Sequence, residues 1–260
     1  STDGTGLTDT DNMAITLNNP PVNRLPPTSP TVTEATQTAI SGVSVADVNS
    51  NLTTTQLTVT DGVLNVDTSG GATITAGGND SATLTLSGTG TQINAALATL
   101  KYTGNANVAT DTLTMTSTDD TSLIDTDSLT INLKNPPINT LPAPLTVVEA
   151  TQSTIGGVSV ADPNNNLNQV QLQVTDGTVN LTISGTATIS GNDTNTVTVS
   201  GTQADINATL ASLKYTSNNG TTSDTVTMLS TDSSGTPLTD TDTFNIVVED
   251  PPVNTVPGTQ

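Results

Sequence analysis

One fifteen-residue stretch occurs three times and limits the fold more than any other feature of the chain. The copies run from Asp9 to Asn23, from Asp125 to Asn139 and from Asp240 to Asn254. Each copy opens with Asp-Thr-Asp, continues with alternating apolar residues and closes with Pro-Pro, an apolar residue and Asn. The alternation is typical of a strand, and Pro-Pro ends it because proline has no N–H for the ladder. Strands followed by stiff linkers at a fixed interval predict an array of domains.

Other landmarks repeat at the same interval. Glu34 and Glu149 are 115 positions apart, as are Asp125 and Asp240, while Tyr102 and Tyr215 are 113 apart. The small difference indicates length changes confined to loops. We therefore predict four segments: the last strand of a preceding repeat (1–19), two full repeats (20–135 and 136–250) and the start of a following repeat (251–260).

Composition indicates an all-β class. The 260 residues include two Tyr, one Phe and no Trp, too little bulk for one large core. Thr and Val favour strands, and Gly, Asn, Asp and Pro clusters recur at turn spacing. Seven or more short strands in each repeat predict two tandem Ig-like β-sandwiches.

Within the first repeat, one segment departs from strand periodicity. Residues Thr91–Leu100 carry apolar side chains at helical spacing, which predicts a short helix before the late strands. Residues Ala39–Val45 are predicted to form a single strand. Tyr102, like Tyr215, is expected to be a core anchor whose hydroxyl bonds back to the main chain, as in a tyrosine corner. The predicted core comprises Leu57, Val59, Leu84, Leu86, Leu97, Leu113 and Ile131.

Charge excludes several classes of function. The formal net charge is −20 with only four basic residues, which cannot neutralise a phosphate backbone, so nucleic acid is excluded as a partner, and direct membrane insertion is not expected. All but three of the 24 acidic residues are Asp, the short carboxylate that suits hard cations. With no His and no Cys, the chain lacks the usual base for a Ser nucleophile and any thiol, so we predict that it is not an enzyme.

Three further motifs recur in fixed order in both repeats. They are Thr-Val-Thr-Glu-Ala-Thr-Gln-Thr-Ala-Ile (31–40, similar at 146–155), Gly-Val-Ser-Val-Ala-Asp (42–47 and 157–162) and Ile-Asn-Ala-X-Leu-Ala-X-Leu-Lys-Tyr-Thr (93–103 and 206–216). Together with the Pro-Val-Asn linker, this order resembles the cadherin-like, Ig-like (VCBS-type) tandem repeats of giant bacterial surface adhesins. The resemblance covers nearly the whole chain. It implies tandem sandwiches exported to the bacterial cell surface, with neighbouring repeats of the same protein as partners.

The resemblance also implies calcium at the junctions between repeats. Each set of ligands would combine carboxylates and amides of two repeats and their linker. One junction would take Glu34, Asp119, Asn139, Asp162 and Asn164; the earlier one Asp3, Asn23, Asp47 and Asn49; the later one Glu149, Asp232 and Asn254.

The linker departs from the family pattern, because Arg24, Thr140 and Thr255 stand where an Asp is usual. Loss of one carboxylate would weaken each calcium site. The Asp-Thr-Asp pairs, such as Asp125 and Asp127, place two carboxylates on one face of a strand. They are interpreted either as a cation clamp together with the nearby Asp119 and Asp120, or as a charged row that protects a sheet edge.

Three functions remain open at this stage. The first is a structural extender, or stalk, of an extracellular adhesin or surface fibre. The second is a self-assembling subunit of an extracellular filament or sheath, in which residues Asp9–Asn18 supply a strand to a neighbour. The third is a calcium-dependent carbohydrate-binding module, against which the scarcity of aromatic residues counts.

Overall fold

The computed structural model describes residues 1–2 and 4–252, so the predicted ligands Asp3 and Asn254 lie outside the described residues. The chain divides into two compact units. Unit 1 comprises residues 1–105 and 110–132, and unit 2 comprises residues 106–109 and 133–260.

The described residues of unit 1 form eleven strands and one helix. In chain order they are β1 (Val22–Arg24), β2 (Thr31–Thr33), β3 (Thr38–Ala39), β4 (Ser44–Ala46), β5 (Leu52–Val59), β6 (Gly62–Asn65), β7 (Thr73–Gly77), β8 (Thr83–Ser87), α1 (Gly90–Leu97), β9 (Lys101–Gly104), β10 (Thr110–Asp119) and β11 (Ile124–Lys134). They form a six-stranded sheet, β2-β11-β10-β5-β8-β7, a three-stranded sheet, β3-β9-β6, and the pair β1-β4.

Unit 2 repeats this arrangement element by element. Its elements are β12 (Ile138–Thr140), β13 (Leu145–Val148), β14 (Ser153–Thr154), β15 (Ser159–Ala161), β16 (Leu167–Val174), β17 (Thr178–Asn180), β18 (Thr188–Ser190), β19 (Thr196–Ser200), α2 (Gln203–Leu210), β20 (Lys214–Thr216), β21 (Ser223–Asp232) and β22 (Thr239–Glu249). The sheets are β13-β22-β21-β16-β19-β18, β14-β20-β17 and β12-β15. Both units are therefore the predicted all-β sandwiches, each with one short helix.

The two faces of the large sheet follow directly from alternation along its strands. In β10, Leu113 and Met115 are fully buried, whereas Thr112 and Thr114 lie on the outer face. Leu113 is opposite Leu129 on one side and Val59 on the other, so the apolar residues of neighbouring strands share the inner face. All seven residues of the predicted core are buried.

The tyrosine-corner prediction is confirmed in both units. The Tyr102 hydroxyl oxygen lies 2.8 Å from the Asp61 carbonyl oxygen and 2.7 Å from a carboxylate oxygen of Asp111, and these two acceptors share its single hydrogen. The Tyr215 hydroxyl makes the equivalent bonds to Asp176 and Asp224. Burial, reinforced by the carboxylate, raises the pKa of each tyrosine well above its ordinary value.

The predicted helix is also confirmed, with an earlier end. Helix α1 begins after Thr89, whose side chain accepts from the Gln92 N–H while the Gln92 side chain accepts from the Thr89 N–H. This capping box fixes the start of the helix. The helix ends at Leu97 because the N–H groups of Thr99 and Leu100 bond three residues back, which tightens the last turn.

Two sequence-based predictions were wrong. The single strand predicted at Ala39–Val45 is two strands. The chain turns at Gly42 (φ 85°) and passes from the sheet that contains β9 to the pair formed by β1 and β4.

The second wrong prediction is the strand at Asp9–Asn18, because residues 9–18 form no strand. The same sequence pattern becomes β11 and β22 where β10 and β21 lie alongside. Met13, Ile15 and Leu17 instead stay 82%, 73% and 74% exposed.

Each unit has an irregularity at the same strand end. The register between β10 and β5 shifts between Thr118 and Asp119, and that between β21 and β16 shifts at Leu167 and Gln169, opposite Asp232. Such bulges re-aim a side chain at the end of a ladder. Asp119 and Asp232 are the residues placed there.

Candidate functional site

The end of unit 2 where β21 finishes gathers carboxylates and amides, a group we call the end cluster of unit 2 (Asn135, Asp162, Asn164, Asn166 and Asp232). Asp162 and Asp232 are buried, with exposures of 4% and 1%. One Asp232 oxygen accepts from the Leu238 N–H at 2.8 Å and from Ser234. A cavity of about 570 Å³, lined partly by Asn166, opens beside the cluster.

Electrostatics set Asp162 apart from the other acidic residues. Burial raises the pKa of its carboxyl above the ordinary value, and the nearby Asp232 carboxylate adds to the rise. Hydrogen bonds from Asn164 and its neighbours lower the pKa of Asp162, but by less than burial and Asp232 raise it. The Asn166 amide, oriented with its nitrogen towards the carboxylate, lies 3.0 and 3.2 Å from the two oxygens. Two buried carboxylates close to each other are an arrangement that a cation would stabilise.

Unit 1 has an equivalent end cluster (Asn18, Asp47, Asn49, Asn51, Asp119 and Asp120). Asn18 donates to Asp119 at 3.0 Å, and Asn51 donates to Asn18 at 3.3 Å and to Asp120. Burial alone would raise the pKa of Asp119. The hydrogen bonds from Leu123, Thr121 and Asn18 outweigh burial, so that pKa lies below its ordinary value.

Unpartnered oxygens mark both end clusters. In the described part of the chain, three buried side-chain polar atoms lack a hydrogen-bond partner: Asp47 Oδ2, Asn51 Oδ1 and Asn135 Oδ1. All three are acceptors, and all three belong to the end clusters. Buried acceptors without a donor are unusual in folded proteins, and oxygen is the ligand that calcium takes. These oxygens fit a hard cation.

The structure corrects the predicted grouping of the two glutamates. Glu149 lies at the start of unit 2, where its N–H bonds to Glu249 and its carboxylate accepts from Gly220. Asp232 lies at the other end of the ten-residue strand β21, about 30 Å away at the usual rise of a strand. Glu34 is separated from Asp119 in the same way along β10, because Pro30 just before it bonds to Asn132, which is opposite Thr110. Neither pair can share one cation. Burial and bonding place Asp119 with the residues around Asp47 and Asn49.

The linker asparagines have internal partners. Asn23 donates from its side chain to the carbonyls of Met115 and Asp125, and its side-chain oxygen accepts from Ser117. Its main-chain N–H donates to the Asp125 carboxylate at 2.6 Å. Asn139 makes the same set of bonds with Met228, Asp240 and Ser230. Asp125 and Asp240, the first Asp of the second and third Asp-Thr-Asp copies, therefore each anchor a linker asparagine. Asp127 lies exposed opposite Met115.

Carboxylates alone do not complete a metal site. Among the residues that the structure describes, no three acidic side chains lie together at metal-binding distance. A cation in either end cluster would take its remaining oxygens from Asn51, Asn135, main-chain carbonyls or water. Asn164 fits poorly as a ligand, because its side-chain oxygen already accepts two N–H bonds from Asn135, at 2.7 and 3.1 Å.

Sequence reasoning missed several residues of these sites. Asn51 and Asn135 were not among the predicted ligands, and Asp111 and Asp224 were not assigned to the tyrosine corners. Asp111 and Asp224 are 113 positions apart, the same interval as Tyr102 and Tyr215. That shared interval was the available signal. For Asn51 and Asn135 no comparable signal exists, because strand register brings them to the clusters.

Comparison with known proteins gives architectural likenesses at low identity. No family model matches the sequence, and no curated protein matches it. Similar solved structures include the Drosophila N-cadherin EC1-4 fragment (13% identity, TM-score 0.34, covering 89% of this chain and 50% of that one). They also include DIP-gamma IG1+IG2 (12% identity, TM-score 0.41, covering 89% of this chain and 99% of that one). The protocadherin GammaB4 extracellular domain is a third (13% identity, TM-score 0.34, covering 89% of this chain and 34% of that one).

The chain spans about half of the N-cadherin fragment and about a third of the protocadherin one. All three are cadherin or Ig-domain structures, but identities and TM-scores of this size carry no functional argument. The assignment of the fold rests on the strand order of the two units. No helix in the described residues is long and apolar enough to cross a membrane.

Proposed function

We propose that the chain is a stretch of structural extender repeats from an extracellular adhesin or surface fibre, of the bacterial cell-surface kind that the sequence resembles. The observation that carries the proposal is repetition. Both units have the same strand order, the same tyrosine corner and an end cluster at the corresponding strand end. A binding domain would diverge at its loops, whereas an extender keeps each repeat alike.

Calcium at the end clusters is part of this proposal. The buried pair Asp162 and Asp232 and the unpartnered oxygens of Asp47, Asn51 and Asn135 support it. A cation there would offset repulsion between carboxylates in a chain of net charge −20. For dissociation constants on the order of 10⁻⁴–10⁻³ M, 10 mM calcium would stabilise the fold by about 1–3 kcal/mol.

Melting curves of the full chain with calcium and with chelator test this. We expect calcium to raise the melting temperature of both units in the native chain, and to have a much smaller effect on the melting of unit 2 in Asp162→Asn or Asp232→Asn, while unit 1 responds as before. Asp193→Asn, an exposed turn residue that bonds Asn180, is the matched control and should respond like the native chain. Identical curves with and without calcium at constant ionic strength would overturn the calcium proposal.

One observation favours self-assembly as a second candidate. Met13, Ile15 and Leu17 are exposed, although the same pattern is buried in β11 and β22. Strand exchange between copies would bury these side chains. A concentration series on a sizing column separates the two candidates: extender repeats stay monomeric, whereas strand exchange gives oligomers that Ile15→Asp should abolish.

Carbohydrate binding has no comparable support. Tyr102, Tyr215 and Phe244 are the only aromatic residues of the chain, and all three are buried. No aromatic ring is therefore left to stack on a sugar, and we do not propose this function.

A further inference from the structure

One asparagine side chain in each unit holds the chain segment that enters that unit. The Asn164 oxygen accepts from the Asn135 main-chain N–H at 2.7 Å, and its nitrogen donates to the Leu133 carbonyl at 2.8 Å. The Asn49 side chain makes the same two bonds, with the Asn19 N–H and the Leu17 carbonyl, both at 2.8 Å. We call these two side chains the entry clamps.

The entry clamps bond to the main chain of the incoming segment. The side chain between the two contacted positions is not shared, because it is Asn18 in one segment and Lys134 in the other. What the segments share is a carbonyl, an N–H two residues later, and then Pro-Pro. Because proline has no N–H, the clamp takes the last donor before the linker. An amide that pairs with an N–H and a carbonyl acts as one more rung of a β-ladder.

The loop that carries each clamp is fixed by its own hydrogen bonds. The Asn164 N–H donates to Asp162 at 2.8 Å, and the Asn49 N–H donates to Asp47 at 2.9 Å. Both are Asp-x-Asn turns followed by a residue in the left-handed region, Asn165 (φ 55°) and Ser50 (φ 57°). The amide is therefore held in place independently of the incoming segment.

We infer that the Asp-x-Asn loop of each repeat is a docking surface for the chain segment that enters that repeat, and that it holds this segment through main-chain groups and without a cation. The inference does not depend on the extender function. The same acceptor and donor pattern recurs before the third linker, at the Val248 carbonyl and the Asp250 N–H. A following repeat with an Asp-x-Asn loop would bind it there.

Hydrogen exchange at the Asn135 amide of the full chain, in chelator, tests the inference. We expect Asn164→Ala to speed exchange at Asn135 about tenfold, the loss of roughly one hydrogen bond. Exchange at Asn139, which donates to Asp240, should not change. Asn164→Asp should give an intermediate effect, because its carboxylate can accept from the N–H but cannot donate to the Leu133 carbonyl. Asn195→Ala, an exposed asparagine of unit 2, is the matched control and should leave both amides unchanged.

Two results would overturn the inference. One is unchanged exchange at Asn135 in both Asn164 variants. The other is restoration of protection in Asn164→Ala by calcium, which would show that a cation holds the segment. Because the experiment is run in chelator, its failure leaves the calcium proposal intact. Conversely, if calcium does not change the melting temperature, the calcium proposal is contradicted and the entry-clamp inference is not.

Discussion

Asp111 and Asp224 are buried carboxylates held by hydroxyl and main-chain N–H groups. Asp111 accepts from the N–H groups of Thr60 and Asp61 at 2.9 and 3.0 Å, and from the Tyr102 hydroxyl. A buried charge without such bonds would be strongly destabilising. The tyrosine, the Asp-Gly turn and the late strand are therefore joined through one side chain in each unit.

Alkaline titration should reveal this network. The raised pKa of Tyr102 and Tyr215 means that the folded state holds these protons more tightly than the unfolded state. The corresponding stability is complete below pH ~10 and is lost as pH rises further. Since the chain has two Tyr and no Trp, near-ultraviolet absorbance reports tyrosinate directly. We expect tyrosinate to appear only together with unfolding. Titration near pH 10 with an intact circular dichroism spectrum would contradict the raised pKa.

Gly62 should be intolerant of a side chain. Its φ is 143°, and a Cβ there would lie 2.7 Å from both the Tyr102 ring and the Thr103 carbonyl oxygen. We expect Gly62→Ala to cost about 1–3 kcal/mol of unfolding free energy, from backbone strain and displacement of the tyrosine. Gly78→Ala, where nothing lies within 4 Å of the new Cβ, is the control for denaturant unfolding. Equal losses in the two variants would show that the tyrosine corner is not the cause.

At the scale of elements, the sequence was informative where one local rule decided the outcome. Alternation in β10 predicts which residues face the core, and Ile93 and Leu97 at helical spacing predict α1. The turn at Gly42 and the bulge before Asp119 were not predictable, because each depends on which sheet receives the strand. The Asp-Thr-Asp interpretation was limited in the same way, since only the register pairs Asp125 with a linker asparagine.

Leu113→Ala tests the phase of β10. Leu113 is fully buried between Val59 and Leu129, so its truncation leaves a cavity in the sandwich. We expect a loss of about 2–5 kcal/mol in the free energy of unfolding. Thr114→Ala on the outer face should change stability by less than ~0.5 kcal/mol. Comparable values for the two positions in urea unfolding would contradict the assignment of faces.

At the scale of the whole molecule, the end clusters collect acidic side chains, while the outer faces of the central strands β10 and β5 present neutral ones. The outer face of β10 carries Thr at every alternate position, and the outer face of β5 carries Thr and Gln. The end clusters draw together residues from loops and strands far apart in the sequence, such as Asn51 and Asp120. Sequence reasoning could name many of the acidic residues involved, but it grouped Asp119 with Glu34 and Asp232 with Glu149, because separating them requires the register of the strands.

The boundary between repeats can be located by comparing fragments. The predicted second repeat begins at residue 136, whereas unit 2 also includes the segment from Leu133 to Asn135 that its entry clamp holds. We expect the fragment 133–250 to be more stable than 137–250 by about 1–3 kcal/mol, because the shorter one leaves the Asn164 amide without its partners. Asn164→Ala should remove most of the difference, which makes the pair a double-mutant cycle in chemical denaturation. If the two native fragments unfold at the same denaturant concentration, the incoming segment does not belong to the folded unit, and the repeat begins at its prolines.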